Sequence, residues 1–175
     1  MKTILAWHFL PADRKLLHGN GQRVRVGRKI IYGGDLKLCV SGLHASRRPI
    51  DALEYITGPI LCRVRCDGTI IEDTDKLVCS ERTVLYWFDA SVMLRAFARR
   101  CALDVIHLWN PPEVVVRYLK TGDKDIRDAA GAAARAAASA AGAAAGATWA
   151  AARDSQNRRL LGMIRKEHNR KKGVC

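Results

Sequence analysis

Acidic residues and aromatics are both scarce in this chain of 175 residues: 17 Asp and Glu stand against 30 Lys and Arg, and aromatics make up 6%. The first shortage leaves a formal charge of +13 and calls for an acidic partner such as nucleic acid, an anionic protein face or a membrane surface. The second argues against a single-strand nucleic-acid platform, which stacks bases on interleaved aromatic side chains. There is no helix-turn-helix, zinc-finger or ribonucleoprotein signature, so sequence-specific DNA reading is not expected. There is also no run of 18 or more membrane-grade apolar residues and no leader pattern at the start, so neither a membrane segment nor export is expected. Zinc would need a second close pair of Cys or His beside Cys62 and Cys66, but Cys39, Cys79, Cys101 and Cys175 are all isolated. No metal is expected, and reduced thiols are.

What is present suits an α+β fold: a small, mainly antiparallel sheet with short helices, followed by C-terminal helices that include a long Ala-rich one. Half of the chain is apolar, enough for a core, although alanine inflates that share beyond residue 120. Thr3 to Leu10 reads as a first strand. Arg23-Val24-Arg25-Val26 alternates as a strand with an arginine face and continues into Lys29-Ile30-Ile31-Tyr32. Pro49 opens a short helix ending near Tyr55. Strands are predicted at 60–66, 69–72, 77–79 and 84–88, with Cys62 and Cys66 on one buried face. Asp89 caps a helix in which Leu94, Phe97, Cys101, Val105 and Leu108 recur at helical spacing, and Gly122 closes the next helix. These signals divide the chain into an α+β core at 1–88, helices packing on it at 89–122, and a tail at 123–175.

In the tail, 17 of the 24 residues from Ala129 to Ala152 are alanine, the strongest helix former. Apart from Thr148 the exceptions, Gly131, Arg135, Ser139, Gly142, Gly146 and Trp149, fall on one stripe that Arg153 continues. Such a helix buries little area per residue, so a partner helix is expected, in this chain or in a second copy. Residues 129–175 also carry 9 basic against 2 acidic residues, more than half of the chain's surplus. Arg158, Arg159, Arg165, Lys166, Arg170, Lys171 and Lys172 form a basic amphipathic end suited to phosphate contacts, and Arg23, Arg25, Arg28 and Lys29 form a second basic face.

Polar groups that could converge on a ligand cluster in one block, Gly42-Leu43-His44-Ala45-Ser46 through Tyr55 to Cys66-Asp67-Gly68. His44 lies in a Gly-led loop and titrates near neutrality, which suits a catalytic base. His8, between Trp7 and Phe9, suits a structural histidine that satisfies one hydrogen bond. Glu54, Glu81 and Arg82 complete the titratable set.

The Gly42–Ser46 block, with Asp51-Ala52-Leu53, Tyr55, Gly58-Pro59, Cys62-Arg63-Val64, Asp75-Lys76 and Ser80-Glu81-Arg82-Thr83-Val84-Leu85, resembles an uncharacterised domain family carried by bacteriophage and prophage accessory proteins. Gln156-Asn157-Arg158-Arg159-Leu160 resembles the close of their Ala-rich tails. The resemblance implies a viral origin, with the host cytoplasm or the virion as location, but no activity. More distantly, the order His8, Gly42–Ser46, Tyr55, Ile60–Gly68, Glu81 is similar to that of ADP-ribosyltransferases of the poly-ADP-ribose-polymerase type. That likeness implies an NAD-using enzyme. In it Tyr55 would stack on nicotinamide, His8 would bind the adenosine ribose, His44 would stand where the family has a tyrosine, and Glu81 would hold the ribose or activate the acceptor.

Three functions follow as expectations. The first is a phage-encoded basic accessory protein that binds an acidic host or viral macromolecule. The second is the NAD-using transferase, and the third is an assembly protein that oligomerises through the Ala-rich helix.

Overall fold

Two strands of 13 residues, joined by a polar turn, organise the first part of the chain in the computed structural model, which describes residues 2–17, 21–140 and 149–173. The strands are β4 (Ile60–Glu72) and β5 (Leu77–Asp89), with β1 (Ile4–Leu10), β2 (Lys29–Ile31) and β3 (Leu43–Ala45) before them. Asp73 makes the turn: its N–H donates to the Lys76 carbonyl at 2.9 Å, and its carboxylate accepts from the Thr74 N–H at 2.8 Å. All pairings are antiparallel, in the order β1-β4-β5-β2, with β3 also on β5. The four strand runs predicted from 60 to 88 are therefore two long strands, since Gly68 and Thr69 sit in a bulge rather than a break.

Register irregularities between Arg63 and Val64, and between Asp67 and Ile70, curl the hairpin. The curl brings the residue after β3 round to the far edge of β1, where Trp7 and Ser46 exchange two backbone hydrogen bonds of 2.7 and 2.9 Å. Inside lie Ile4, Ala6 and Leu10 of β1, Ile60, Cys62, Val64 and Cys66 of β4, and Leu77, Cys79 and Val84 of β5. Gly42 enters β3 at φ +112, and a Cβ there would collide with the Val78 side chain, so only glycine fits. Pro49 starts α1 (Pro49–Ala52), which ends in a 3-10 turn at Leu53–Tyr55.

The alternation expected at 23–26 fails at its end: Val24 is buried, but Val26 is 52% exposed. The chain there bridges to β5 at Val84 in a parallel sense and then turns at Gly27 into β2.

Compactness separates Met1–Ser91 with Leu160–Cys175 from a helical unit, Val92–Arg159, so the basic end of the tail does not form one body with the Ala-rich segment before it. The helical elements are α2 (Ser91–Asp104), α3 (Glu113–Thr121), α4 (Arg127–Ala140) and α5 (Trp149–Lys172). Asp89 accepts from the Ser91 N–H at 2.8 Å, and Gly122 ends α3 in the left-handed conformation, both as the sequence predicts. α2 stops at Asp104, and the chain then turns through Ile106–Leu108. That break in helical phase leaves Val105 49% and Leu108 72% exposed instead of continuing the Leu94–Phe97 face. Within the helical unit α4 packs on α3 with Ala130 buried, so the alanine-rich surface has an intrachain neighbour. Gly142 and Gly146 of the predicted stripe lie outside the described residues, as do the side chains of Ser139 and Trp149.

The end of α5 belongs with the sheet. Leu160 and Ile164 are each 1% exposed, His168 stacks on Tyr86 with centroids 3.8 Å apart, and the Lys171 ammonium lies 5.5 Å from the Phe88 ring centre. Replacing Leu160 with Ala should cost about 2–5 kcal/mol in urea unfolding, whereas Leu108→Ala should change stability by less than about 0.5 kcal/mol. Equal effects would contradict this division of burial.

Candidate functional site

β2 and β3 lie end to end along one edge of β5. Residues 27–32 follow it from Val84 to Ser80, with the Gly27 and Tyr32 N–H groups each donating at 2.8 Å, and Leu43–Ala45 pair with Cys79–Leu77. Between them residues 33–42 leave the edge, and the break opens a cavity of about 730 Å³ lined by His8, Tyr32, Cys39, His44, Ser46, Tyr55, Lys76 and Arg82 among others. The excursion is held by its own bonds. Lys37 and Ser41 exchange backbone hydrogen bonds, and the Ser41 hydroxyl donates to the Asp35 carbonyl at 2.5 Å. The Cys39 N–H donates to His44 Nε2 at 3.0 Å.

Arg82 is the unusual member of this lining. It stands opposite Cys66 and Ile30 in the sheet, is only 2% exposed, and donates from Nη1 to the His44 carbonyl at 2.6 Å. Its Nε has no acceptor, and no carboxylate pairs with it among the described residues. The titratable groups that favour its charged form are the thiols of Cys79, Cys66 and Cys62. Burial raises the Cys62 thiol to about 12, and a hydrogen bond to Cys79 together with burial raises Cys66, so these two supply no counter-charge, whereas the hydrogen bond to Cys66 lowers Cys79. A guanidinium does not lose its proton in a protein, so a buried positive charge faces the cavity without a carboxylate partner.

His8 shares this inner face opposite Cys62. Burial first, then Arg82 and His44, hold its imidazole well below the ordinary value of 6.5, so it is neutral. No side-chain hydrogen bond satisfies it among the described residues, which departs from the structural role expected for it. His44, expected as a base, is occupied: its Nε2 accepts from Cys39, and burial lowers its pKa despite the opposing pull of the Gly42 and Lys37 carbonyls. A ring nitrogen already accepting a backbone N–H pins a loop better than it takes up a proton.

At the outer edge Tyr55 is 42% exposed, and its hydroxyl donates to Asp75. Lys76 Nζ donates to the Tyr55 oxygen at 3.2 Å. Lys76 is thereby held above the ordinary lysine range, Tyr55 contributing most.

Residues 14–96 match a family described as Domain of unknown function (DUF7666). The match covers just under half of the chain and takes in β2 to β5 with Cys39, His44, Tyr55, Lys76 and Arg82, but not β1 or His8. No curated protein and no solved structure matches the chain.

His8, His44 and Tyr55 thus line one cavity, but Glu81 does not. Its carboxylate pairs with Lys29 at 2.5 Å, and it sits opposite Asp67 on the other face of the sheet. Alternation counted from Leu77 and Cys79 would turn Glu81 inward; the irregularity between Asp67 and Ile70 slips the face by one residue and turns Arg82 inward instead. The sequence pattern assigns no role to Lys76 or Cys39, because residues in two distant loops share no periodicity that would join them.

Arg23, Arg25, Arg28 and Lys29 are all exposed, although Lys29 is engaged by Glu81. On α5, Arg158, Arg165, Lys166, Arg170 and Lys172 are exposed, while Arg159 is committed to Asp104 through two hydrogen bonds, one of 3.0 Å. Lys171 lies over Phe88, and Arg170 pairs with Glu167 at 2.7 Å.

Because His8 and His44 both titrate below 6.5 when folded, the unfolded chain binds more protons as pH falls beneath that value. Stability should be flat above pH 6.5 and should fall below it, with each histidine contributing at most about 1.4 kcal/mol per pH unit. His8→Gln should flatten the decline measured by urea unfolding between about pH 7.5 and 5; an unchanged slope would refute the neutral imidazole.

Proposed function

We propose that the α+β unit is a binding module for a small anionic ligand, whose carboxylate or phosphate group pairs with Arg82 inside the cavity. The single observation that carries this proposal is the buried guanidinium with an orphaned Nε and no acidic partner among the described residues, lining a space large enough for a small molecule. A charge kept in that state costs stability, and a bound anion offsets the cost. Lys76 adds a second cation at the edge, Tyr55 an exposed ring, and neutral His8 a group that can donate or accept a hydrogen bond. The ADP-ribosyltransferase likeness is not carried forward, because its carboxylate, Glu81, is on the other face of the sheet. NAD is accordingly not assigned as a cofactor.

A second activity is favoured by the exposed Arg165, Lys166, Arg170 and Lys172 at the end of α5, with Arg23, Arg25 and Arg28 elsewhere on the same unit: sequence-independent contact with a polyanion such as nucleic acid. Such a module would suit the phage accessory role that the sequence resemblance implies.

A thermal-shift panel of inorganic phosphate, pyrophosphate, citrate and acetate at constant ionic strength tests the cavity. At least one anion should raise the wild-type Tm by several degrees and leave that of Arg82→Met unmoved. Arg82→Met by itself should leave stability unchanged or raise it by up to about 4 kcal/mol, because it removes a buried charge that has no carboxylate partner among the described residues. Equal responses of both proteins to the whole panel would overturn the cavity assignment. For the polyanion contact, affinity for a generic duplex should fall log-linearly with salt, and neutralising Arg165, Lys166 and Lys172 should reduce the slope by about 0.9 for each phosphate left without its cation. A slope unaffected by those substitutions would place the contact elsewhere.

A further inference from the structure

Cys39 stands apart from the other described cysteines. Cys62, Cys66 and Cys79 are buried and Cys101 is partly covered, whereas Cys39 is exposed and at the same time lines the Arg82 cavity. Its position is built. Residue 39 takes a left-handed backbone conformation, φ +64, that a side chain of this type rarely adopts. The cost is met by the hydrogen bond from its N–H to His44 Nε2 and by the Lys37–Ser41 pairing on either side. The residue shares the lining of the cavity with Lys76, whose ammonium is anchored on Tyr55. A nucleophilic residue thus lines a cavity that also holds two cations, Lys76 and Arg82, the second with an orphaned Nε.

We propose that Cys39 is a nucleophile that captures small anionic electrophiles whose acidic group is held by Arg82. The proposal rests on the anion-binding reading of the cavity and adds to it a covalent step. The Cys39 thiol gives its proton to solvent, Sγ forms a bond to the electrophilic carbon, and the leaving group departs with the electron pair of the bond that breaks. No oxidant or further reactant is needed. Lys76 and Arg82 choose the substrate, since their charges favour an electrophile that carries a carboxylate or phosphate over a neutral one of the same shape.

Iodoacetate and iodoacetamide differ in that one charge and deliver the same chemistry, with iodide leaving in each case. The rates of both reagents at Cys39 are measured on the full chain by peptide mass spectrometry, in the native state and in urea. The native ratio of iodoacetate to iodoacetamide rates should exceed the urea ratio at least tenfold, and it should fall to the urea value in Arg82→Met and in Lys76→Met. Circular dichroism and urea unfolding of both variants exclude loss of fold as the cause. A native ratio equal to the urea ratio overturns the proposal. So does a raised ratio that only Lys76→Met abolishes, because anion choice would then occur at the edge without the cavity. If the ratio is flat while the anion panel still shifts the Tm through Arg82, the cavity binds anions and Cys39 takes no part.

Discussion

The closure between Trp7 and Ser46 is the contact on which the rest of the α+β unit depends. Two backbone hydrogen bonds join the outer edge of β1 to the residue that follows β3, and they are reached only because the long β4–β5 hairpin curls through two irregularities. The curled sheet has an inside, where Cys62, Val64, Cys66 and Cys79 pack, and an outside, where Trp7, Arg63, Tyr86 and the end of α5 meet. The Arg63 guanidinium lies 4.5 Å from the Trp7 ring centre, and Tyr86 is held between the edge of Trp7 and the face of His168. The cavity exists because the opposite edge, β2 and β3, is interrupted by residues 33–42.

Arg82 gives that interruption its chemical meaning. Elsewhere in the unit charges are paired or turned outward: Lys29 with Glu81, Arg47 with Glu72, Arg65 with Asp67. Inside, a guanidinium is left with one carbonyl and three thiols. An apolar side chain of that size would pack there at no electrostatic cost, so the charge is explained by what it attracts better than by what it stabilises. The loop that covers the cavity repeats the pattern, because Cys39 accepts a strained backbone and His44 spends its ring nitrogen on holding it.

The α+β class, the first strand, the Pro49 helix start, the Asp89 cap and the Gly122 stop are written in local chemistry: alternation, ring constraint, a carboxylate two residues before a helix, a glycine after one. Local chemistry also marks the Gly42–Tyr55 block as the place to look. It misplaces Val105 and Leu108 because the helix ends sooner than its spacing suggests, and it misjudges His44 because an imidazole's partner several residues away is set by loop shape.

The choice between Glu81 and Arg82 separates what the chain says alone from what the fold decides. Adjacent residues on a strand face opposite ways, so the sequence by itself determines that one of the two points inward and the other outward. Which one does so depends on where the register slips against β4, and that is set by bulge geometry between Asp67 and Ile70 and by pairing with β2, neither of which leaves a period in the sequence. One residue of slip exchanges an internal carboxylate for an internal guanidinium, and with it the expected chemistry of the cavity.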